Sequence, residues 1–180
     1  MTTSRQEALW VLRAQCGDRE ALEHLLRAIQ PPLRRFLRGV AGPSHADDVL
    51  QDVLVIVCRK LTSLHTPELF RPWVYRIAGR QAFRHLKTER RWPEQPVDDA
   101  VFDGLSAQYT SPPCGLLEEL VSLENLSPAS RAVLVLHFQE ELPLSDVAAI
   151  LELPLGTVKS RLAYGLAAIR KHLTAKGRSS

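Results

Sequence analysis

Residues 142–173 read LPLSDVAAILELPLGTVKSRLAYGLAAIRKHL, and this stretch decides the fold of its end of the chain. Leu144, Val147, Ala148 and Leu151 recur every three or four residues, the spacing of one face of a short helix that starts after Pro143. Pro154, Leu155 and Gly156 interrupt the pattern, and a longer helix is expected over residues 157–173. At 100° per residue its Val158, Leu162, Gly165, Leu166, Ile169 and Leu173 fall within one arc of about 100°, the width of a core-facing stripe. Just upstream, Ser127 and Pro128 place a cap and a first-turn proline ahead of Ala132, Val133, Leu136 and His137, so another helix starts there. A long helix, a short helix, a tight turn and a long helix make a helix-turn-helix.

Opposite the apolar arc, the last helix carries Thr157, Ser160, Arg161 and Tyr164 near its N-terminal end, with Lys159 at the edge. In a helix-turn-helix this end of the second helix enters the major groove. Arg161 has the forked donors that match a guanine edge, Thr157 and Ser160 suit bases or phosphates, and Lys159 suits a phosphate. On an isolated amphipathic helix the same residues would be an ordinary solvated face. The preceding short helix and the turn are what favour duplex DNA.

Working toward the N-terminus, the net charge of +3 separates into unlike parts. Residues 1–92 hold 16 Lys and Arg against 9 Asp and Glu, residues 93–125 hold none against 7, and residues 126–180 hold 7 against 4. The acidic middle contains Pro93, Pro96, Gly104, Pro112, Pro113 and Gly115, a linker composition. The expected architecture is therefore all-α: an N-terminal helical bundle over 1–92, a flexible acidic linker over 93–125 and the helix-turn-helix over 126–180. Alternating strand-like runs and hairpin signals are missing.

Within 1–92, a first helix is expected over residues 5–15, stopping at Gly17, and Asp18 is placed to cap a second. That second helix presents Leu22, Leu25, Leu26 and Ile29, and Pro31 and Pro32 are expected to bend or break it before Leu33, Phe36 and Leu37. Ser44 with Asp47 resembles a capping box opening a third helix, whose core stripe is Ala46, Val49, Leu50, Val53, Leu54, Val57 and Leu61. A fourth helix, over residues 70–91, aligns Arg76, Arg80, Arg84, Lys87 and Arg91 in a stripe about 80° wide, with Tyr75, Ala78, Ala82 and Leu86 roughly opposite. Five aligned cations repel one another unless a polyanion or solvent screens them, which points to nucleic acid. Trp73, Tyr75 and Phe83 add rings on which an unpaired base can stack, although core packing explains Trp73 and Tyr75 at least as well.

The remaining composition narrows the classes. Apolar residues at 45% and charged residues at 24% describe a folded chain rather than a disordered one. No apolar run approaches the roughly 20 residues that span a bilayer, so no membrane insertion is expected. The start, MTTSRQEALWVLRAQ, is too polar for a signal peptide, and a cytoplasmic location follows. Cys16, Cys58 and Cys114 form no metal-spaced pair and fit a reducing compartment, where an isolated cysteine usually packs as a small core residue. Neither metal nor cofactor is expected: His24, His45, His65, His85, His137 and His172 are scattered. Of Asp47, Asp48 and Asp52, only the last two share a helix face. A metal-dependent nuclease is accordingly a weak alternative, and no catalytic residue is assigned.

Two blocks in this order carry a resemblance. HADDVLQDVLVIVCRKL followed by FRPWVYRIAGRQAFRHLKTERR resembles the second conserved region of extracytoplasmic-function (ECF) RNA polymerase sigma factors, and LSPASRAVLVLHFQEELPLSDVAAILELPLGTVKSRL resembles their fourth. The resemblance implies that Asp48, Gln51 and Asp52 dock on the clamp helices of the polymerase β′ subunit. It further implies that the basic helix, with Trp73, Arg76, Arg80, Arg84, Lys87 and Arg91, and the loop at 65–71 melt and capture the minus-ten promoter element. Residues 157–164 would read the minus-thirty-five element, and the acidic linker would thread toward the polymerase active-site cleft. An anti-sigma factor is an expected partner. Three departures from the family pattern stand out. Gly79, Arg80 and Gln81 replace a segment that often holds Asn, and Arg84 stands where Asp is common. Glu152 replaces the usual turn glycine, which demands either a left-handed backbone costing about 1–2 kcal/mol or a different turn. The alternative function is a helix-turn-helix regulator that binds duplex DNA without polymerase, which would leave the basic helix and the Asp48 face without a purpose.

Overall fold

The structure is a computed structural model in which residues 4–88 and 126–176 are described. The chain divides into two compact units, Met1–Glu89 and Arg90–Ser180. All regular structure among the described residues is helical. The acidic segment 93–125, Arg91 and Cys114 lie outside the described residues.

In the first unit, helix α1 (Ser4–Gln15) ends as expected at Gly17, whose φ of 92° lets the Asp18 N–H reach back to the Arg13 carbonyl at 3.1 Å. Asp18 then caps α2 (Arg19–Ala41), accepting the Ala21 N–H at 3.1 Å while its other oxygen takes Arg13 at 2.6 Å. The Ala21 N–H first, and Arg13 second, hold the Asp18 carboxyl below the ordinary carboxylate range.

Helix α2 is the central element, and Ala21, Leu25, Ile29, Leu33, Phe36, Leu37 and Val40 bury one continuous face. The expected break at Pro31 and Pro32 does not occur, and α2 is one helix of 23 residues. The two prolines remove N–H groups that would bond Arg27 and Ala28, but Ile29, Leu33 and Phe36, all fully buried, seat both halves against the same core.

Helix α3 (Ala46–Lys60) buries Ala46, Val49, Leu50, Val53 and Val57, with Leu54 only half-buried. Its expected capping box does not form. The N-terminal flank is His45, without a side-chain cap, because Gly42, at φ 88°, turns its carbonyl to accept the His45 and Ala46 N–H groups. Asp47 instead pairs with Arg34 of α2 at 2.8 Å. Two short 3₁₀ turns, Leu61–Ser63 and Pro67–Leu69, lead into α4 (Phe70–Thr88). There Phe70, Val74, Tyr75, Ala78, Ala82 and Leu86 are buried, and Tyr75 meets Phe36 edge to face with centroids 5.4 Å apart.

In the second unit, Ser127 caps α5 (Pro128–Leu134) by accepting the Ser130 N–H at 3.1 Å, with Pro128 in the first turn as expected. The helix runs on through a π turn, Val135–Gln139, closed by the Leu142 N–H on the Leu136 carbonyl and by His137 Nδ1 against the Leu142 carbonyl at 2.8 Å. Helix α6 is Leu144–Leu151, and α7 is Leu155–Lys176. The start of α7 is two residues earlier than expected because the Pro154 carbonyl accepts the Val158 N–H at 3.1 Å, which draws Leu155 and Gly156 into the first turn. Between α6 and α7, Glu152 is left-handed at φ 57°, ψ 41°, and its N–H and that of Leu153 both close onto the Ala148 carbonyl. Of the two expected alternatives, the strained backbone is the one adopted.

Candidate nucleic-acid interface

In the second unit the apolar arc of α7 faces the core: Val158, Leu162, Leu166 and Ile169 are buried, and Gly165 lies against Leu134. Leu173, at 40% exposed, lies beyond that core. On the other side Thr157 and Arg161 are half-buried, Lys159 is exposed and Tyr164 is 50% exposed. Thr157, Arg161 and Tyr164 fall within about 60° of one another, a strip narrow enough to enter a groove. Ser160 does not belong to it. That side chain is 7% exposed, and its hydroxyl donates to the Gly156 carbonyl at 3.1 Å, so the assignment of Ser160 as a base or phosphate contact does not fit its placement.

In the first unit, burial of Tyr75, Ala78, Ala82 and Leu86 turns the basic stripe of α4 outward. Arg80, Arg84 and Lys87 are exposed, and Arg76 is half-buried. Arg84 extends along the helix to Gln81 at 2.5 Å. Among the rings, Tyr75 is 2% exposed and unavailable to a base. Trp73 and Phe83 are half-buried, with the Trp73 ring 6.3 Å from that of Phe70.

The loop before α4 is held at both ends by α1. Gln15 Nε2 donates to the Leu61 and Leu64 carbonyls, each at 2.8 Å, and Glu7 Oε2 accepts the Arg71 Nε–H at 3.0 Å while its Oε1 lies 3.0 Å from Nη2 as an ion-pair contact. Between these anchors His65, Thr66, Glu68 and Leu69 are exposed. Sequence reading missed both contacts, which join residues 46 to 64 positions apart.

Asp48, Gln51 and Asp52 are all exposed on one face of α3, and Val55, 48% exposed, lies one turn further along it. Val55 was also missed, and its signal is an apolar residue outside the helix's core stripe. His45 and His85, read as scattered, have ring centroids 4.7 Å apart. Cys16 and Cys58 are exposed thiols rather than core residues. Among the described residues no group of three or more His, Cys, Asp or Glu is placed to hold a metal ion, and no helix is long and apolar enough to cross a membrane.

Comparison with known proteins matches both units. Residues 25–92 match Sigma-70 region 2, and residues 122–171 match Sigma-70, region 4. The RNA polymerase sigma-H factor of Pseudomonas aeruginosa is 31% identical, over 96% of both chains. The ECF RNA polymerase sigma factor SigW of Bacillus subtilis is 28% identical over 87% of this chain and 91% of its own. The ECF RNA polymerase sigma-E factor of Escherichia coli K12 is 26% identical over 90% and 91%. Two solved structures share the fold, each with a TM-score of 0.64. One is CnrH in complex with the cytosolic domain of CnrY, 20% identical over 94% of this chain and 97% of its own. The other is RpoE of Bartonella quintana in complex with the anti-sigma factor NepR, 22% identical over 84% and 96%. With the two regions matched in order and a relative similar along nearly its whole length, this chain belongs to the ECF sigma factors of the sigma-70 family.

Proposed function

We propose that this chain is the promoter-recognition subunit of a bacterial RNA polymerase: it binds the core enzyme, directs it to promoters and starts transcription, and has no catalytic activity of its own. The observation that carries the proposal is the pairing of two helical units, matched to regions 2 and 4 in that order, the first with an exposed basic stripe on α4 and the second with a polar strip of Thr157, Arg161 and Tyr164 on α7. One DNA-binding unit suffices for a repressor. Two, with an exposed acidic face on α3, suit a polymerase-bound factor spanning two promoter elements.

On this reading residues 1–92 form the core-binding and minus-ten unit. Asp48, Gln51 and Asp52 meet the β′ clamp helices, joined by Val55 as an apolar contact inside a charged patch. Arg76, Arg80, Arg84 and Lys87 neutralise phosphates of the melted strand while Trp73 stacks on an unpaired base, and Arg91 continues the stripe by sequence. Residues 126–180 read the minus-thirty-five element through Thr157, Arg161 and Tyr164, with Lys159 on a phosphate. The acidic segment 93–125 follows the path of nucleic acid toward the active-site cleft, and the chain works in the cytoplasm. An anti-sigma factor is the expected regulator. The structural neighbour RpoE, solved with the anti-sigma factor NepR, supports this, as do the exposed Leu9, Leu12 and Leu155.

Run-off transcription with core polymerase over a genomic library tests the proposal. Promoter-dependent transcripts are expected only when the chain is present. Tight binding to duplex DNA without core association would replace the reading with that of a stand-alone regulator.

A further inference from the structure

We infer that α1 is a positioning brace for promoter melting, in which Gln15 and Glu7 fix the two ends of the loop that captures the minus-ten element. The inference rests on the proposed role of residues 65–71. Neither Gln15 nor Glu7 lies in the stretch matched to region 2, which begins at residue 25.

Leu64 leaves its 3₁₀ turn with ψ near 101°, so its carbonyl points out of helical register, and Leu61 ends α3. The Leu61 carbonyl already accepts the Leu64 N–H at 3.1 Å, but the Leu64 carbonyl, left to solvent, would allow the segment after it many conformations. One side-chain amide has two N–H donors, and Gln15 spends one on each of these carbonyls. At the other end Arg71 sits in the first turn of α4, where a cation opposes the helix dipole and gains nothing from its own helix. Glu7, 5% exposed, holds it: Oε2 accepts the Arg71 Nε–H at 3.0 Å, and Oε1 adds an ion-pair contact 3.0 Å from Nη2. Phe70 plugs the core beside it. Only the span between the anchors, with exposed His65, Thr66, Glu68 and Leu69, is left to meet DNA, and its ends are ordered before DNA arrives. A base captured by a pre-ordered loop incurs less ordering entropy on binding, and that difference is the advantage the brace confers.

Gln15 and Glu7 are thus positioning residues that act through the loop. The test uses holoenzyme assembled from core polymerase and the full chain. The probes are a single-stranded oligonucleotide carrying the non-template minus-ten sequence of a promoter recovered by run-off selection, and a second with those bases permuted. Gln15→Met removes both donors at similar volume, and Glu7→Gln removes the charge at the same shape. Both variants should bind core as wild type does, while preference for the promoter strand falls about tenfold, the equivalent of re-ordering one backbone residue on binding. Hydrogen exchange at the Leu64 and Leu69 amides should quicken without change in the α2 core. Should Glu7→Gln lose the fold, Gln15→Met carries the test, because Gln15 is only half-buried. Unchanged preference in a folded variant overturns the brace, as does an equal loss of core binding and α2 protection. A wild-type holoenzyme with no preference between the strands removes the minus-ten reading itself, whatever the exchange rates show.

Discussion

Leu134 of α5 occupies the space a side chain at position 165 would need: a Cβ on Gly165 would lie 2.9 Å from Leu134 Cδ1 and 3.3 Å from its Cγ. Glycine in a helix interior costs roughly 1 kcal/mol against alanine, so this one is kept for the close approach of α5 and α7 rather than for helix formation. Leu134 is fully buried and has no solvent-side rotamer to escape into.

Gly165→Val should therefore destabilise the second unit by about 1–3 kcal/mol through overpacking, measured by denaturant unfolding of the full chain. Leu134→Ala alone should cost about 2–5 kcal/mol. The double variant should cost less than the sum, because the added methyls enter the vacated space. Strict additivity would mean the two positions do not touch.

Glu152→Gly should stabilise the chain by about 0.5–1 kcal/mol. Glu152 holds φ 57° with a Cβ that crowds the following carbonyl, and glycine removes that strain while giving back part of it as unfolded-state entropy. Thermal and denaturant unfolding both read the change. A loss of stability would show that the Glu152 side chain contributes more to the fold than its backbone strain costs.

Parts of this structure were legible because their cause is local. The four-residue spacing of Leu25 and Ile29 and the Ser127 cap with Pro128 are written within a turn or two of sequence, whereas the left-handed option at Glu152 comes from the family resemblance. Local signals failed where a distant partner outweighed them. Asp47 was drawn from a capping box to Arg34, and the core across Pro31 and Pro32 overrode a helix-breaking pair. Ser160 was placed on the DNA strip by angle alone, but its hydroxyl finds the Gly156 carbonyl one turn back. The grip of Glu7 on Arg71 was invisible for a simpler reason. Nothing in either residue's neighbourhood states that positions 64 apart meet.

On α3, Asp52→Arg and Val55→Lys should each weaken association with core polymerase by about tenfold or more, through like-charge repulsion or a desolvated cation on the docking face. Both positions are exposed, so the unfolding midpoint should stay within about 0.5 kcal/mol of wild type. Co-purification with core, run beside unfolding, separates the two effects. Undiminished co-purification of both variants would remove this face from the interface.

Arg161 and Ser160 are sequence neighbours on α7 with opposite expected outcomes. Arg161→Ala should cost about 1–3 kcal/mol of affinity for the cognate upstream element, with little effect on unrelated duplex, if its guanidinium reads a base edge. An equal loss on both duplexes would make it a phosphate contact. Ser160→Ala should leave affinity for either duplex unchanged and stability within about 0.5 kcal/mol, because its hydroxyl is spent on the Gly156 carbonyl and its side chain is buried. Titrations at two salt concentrations separate the cases further. Losing a phosphate contact lowers the salt dependence by about one counterion, whereas losing a base contact leaves the slope in place. A Ser160→Ala variant that lost specific binding while keeping its fold would mean that the first turn of α7 re-forms on DNA and frees the hydroxyl.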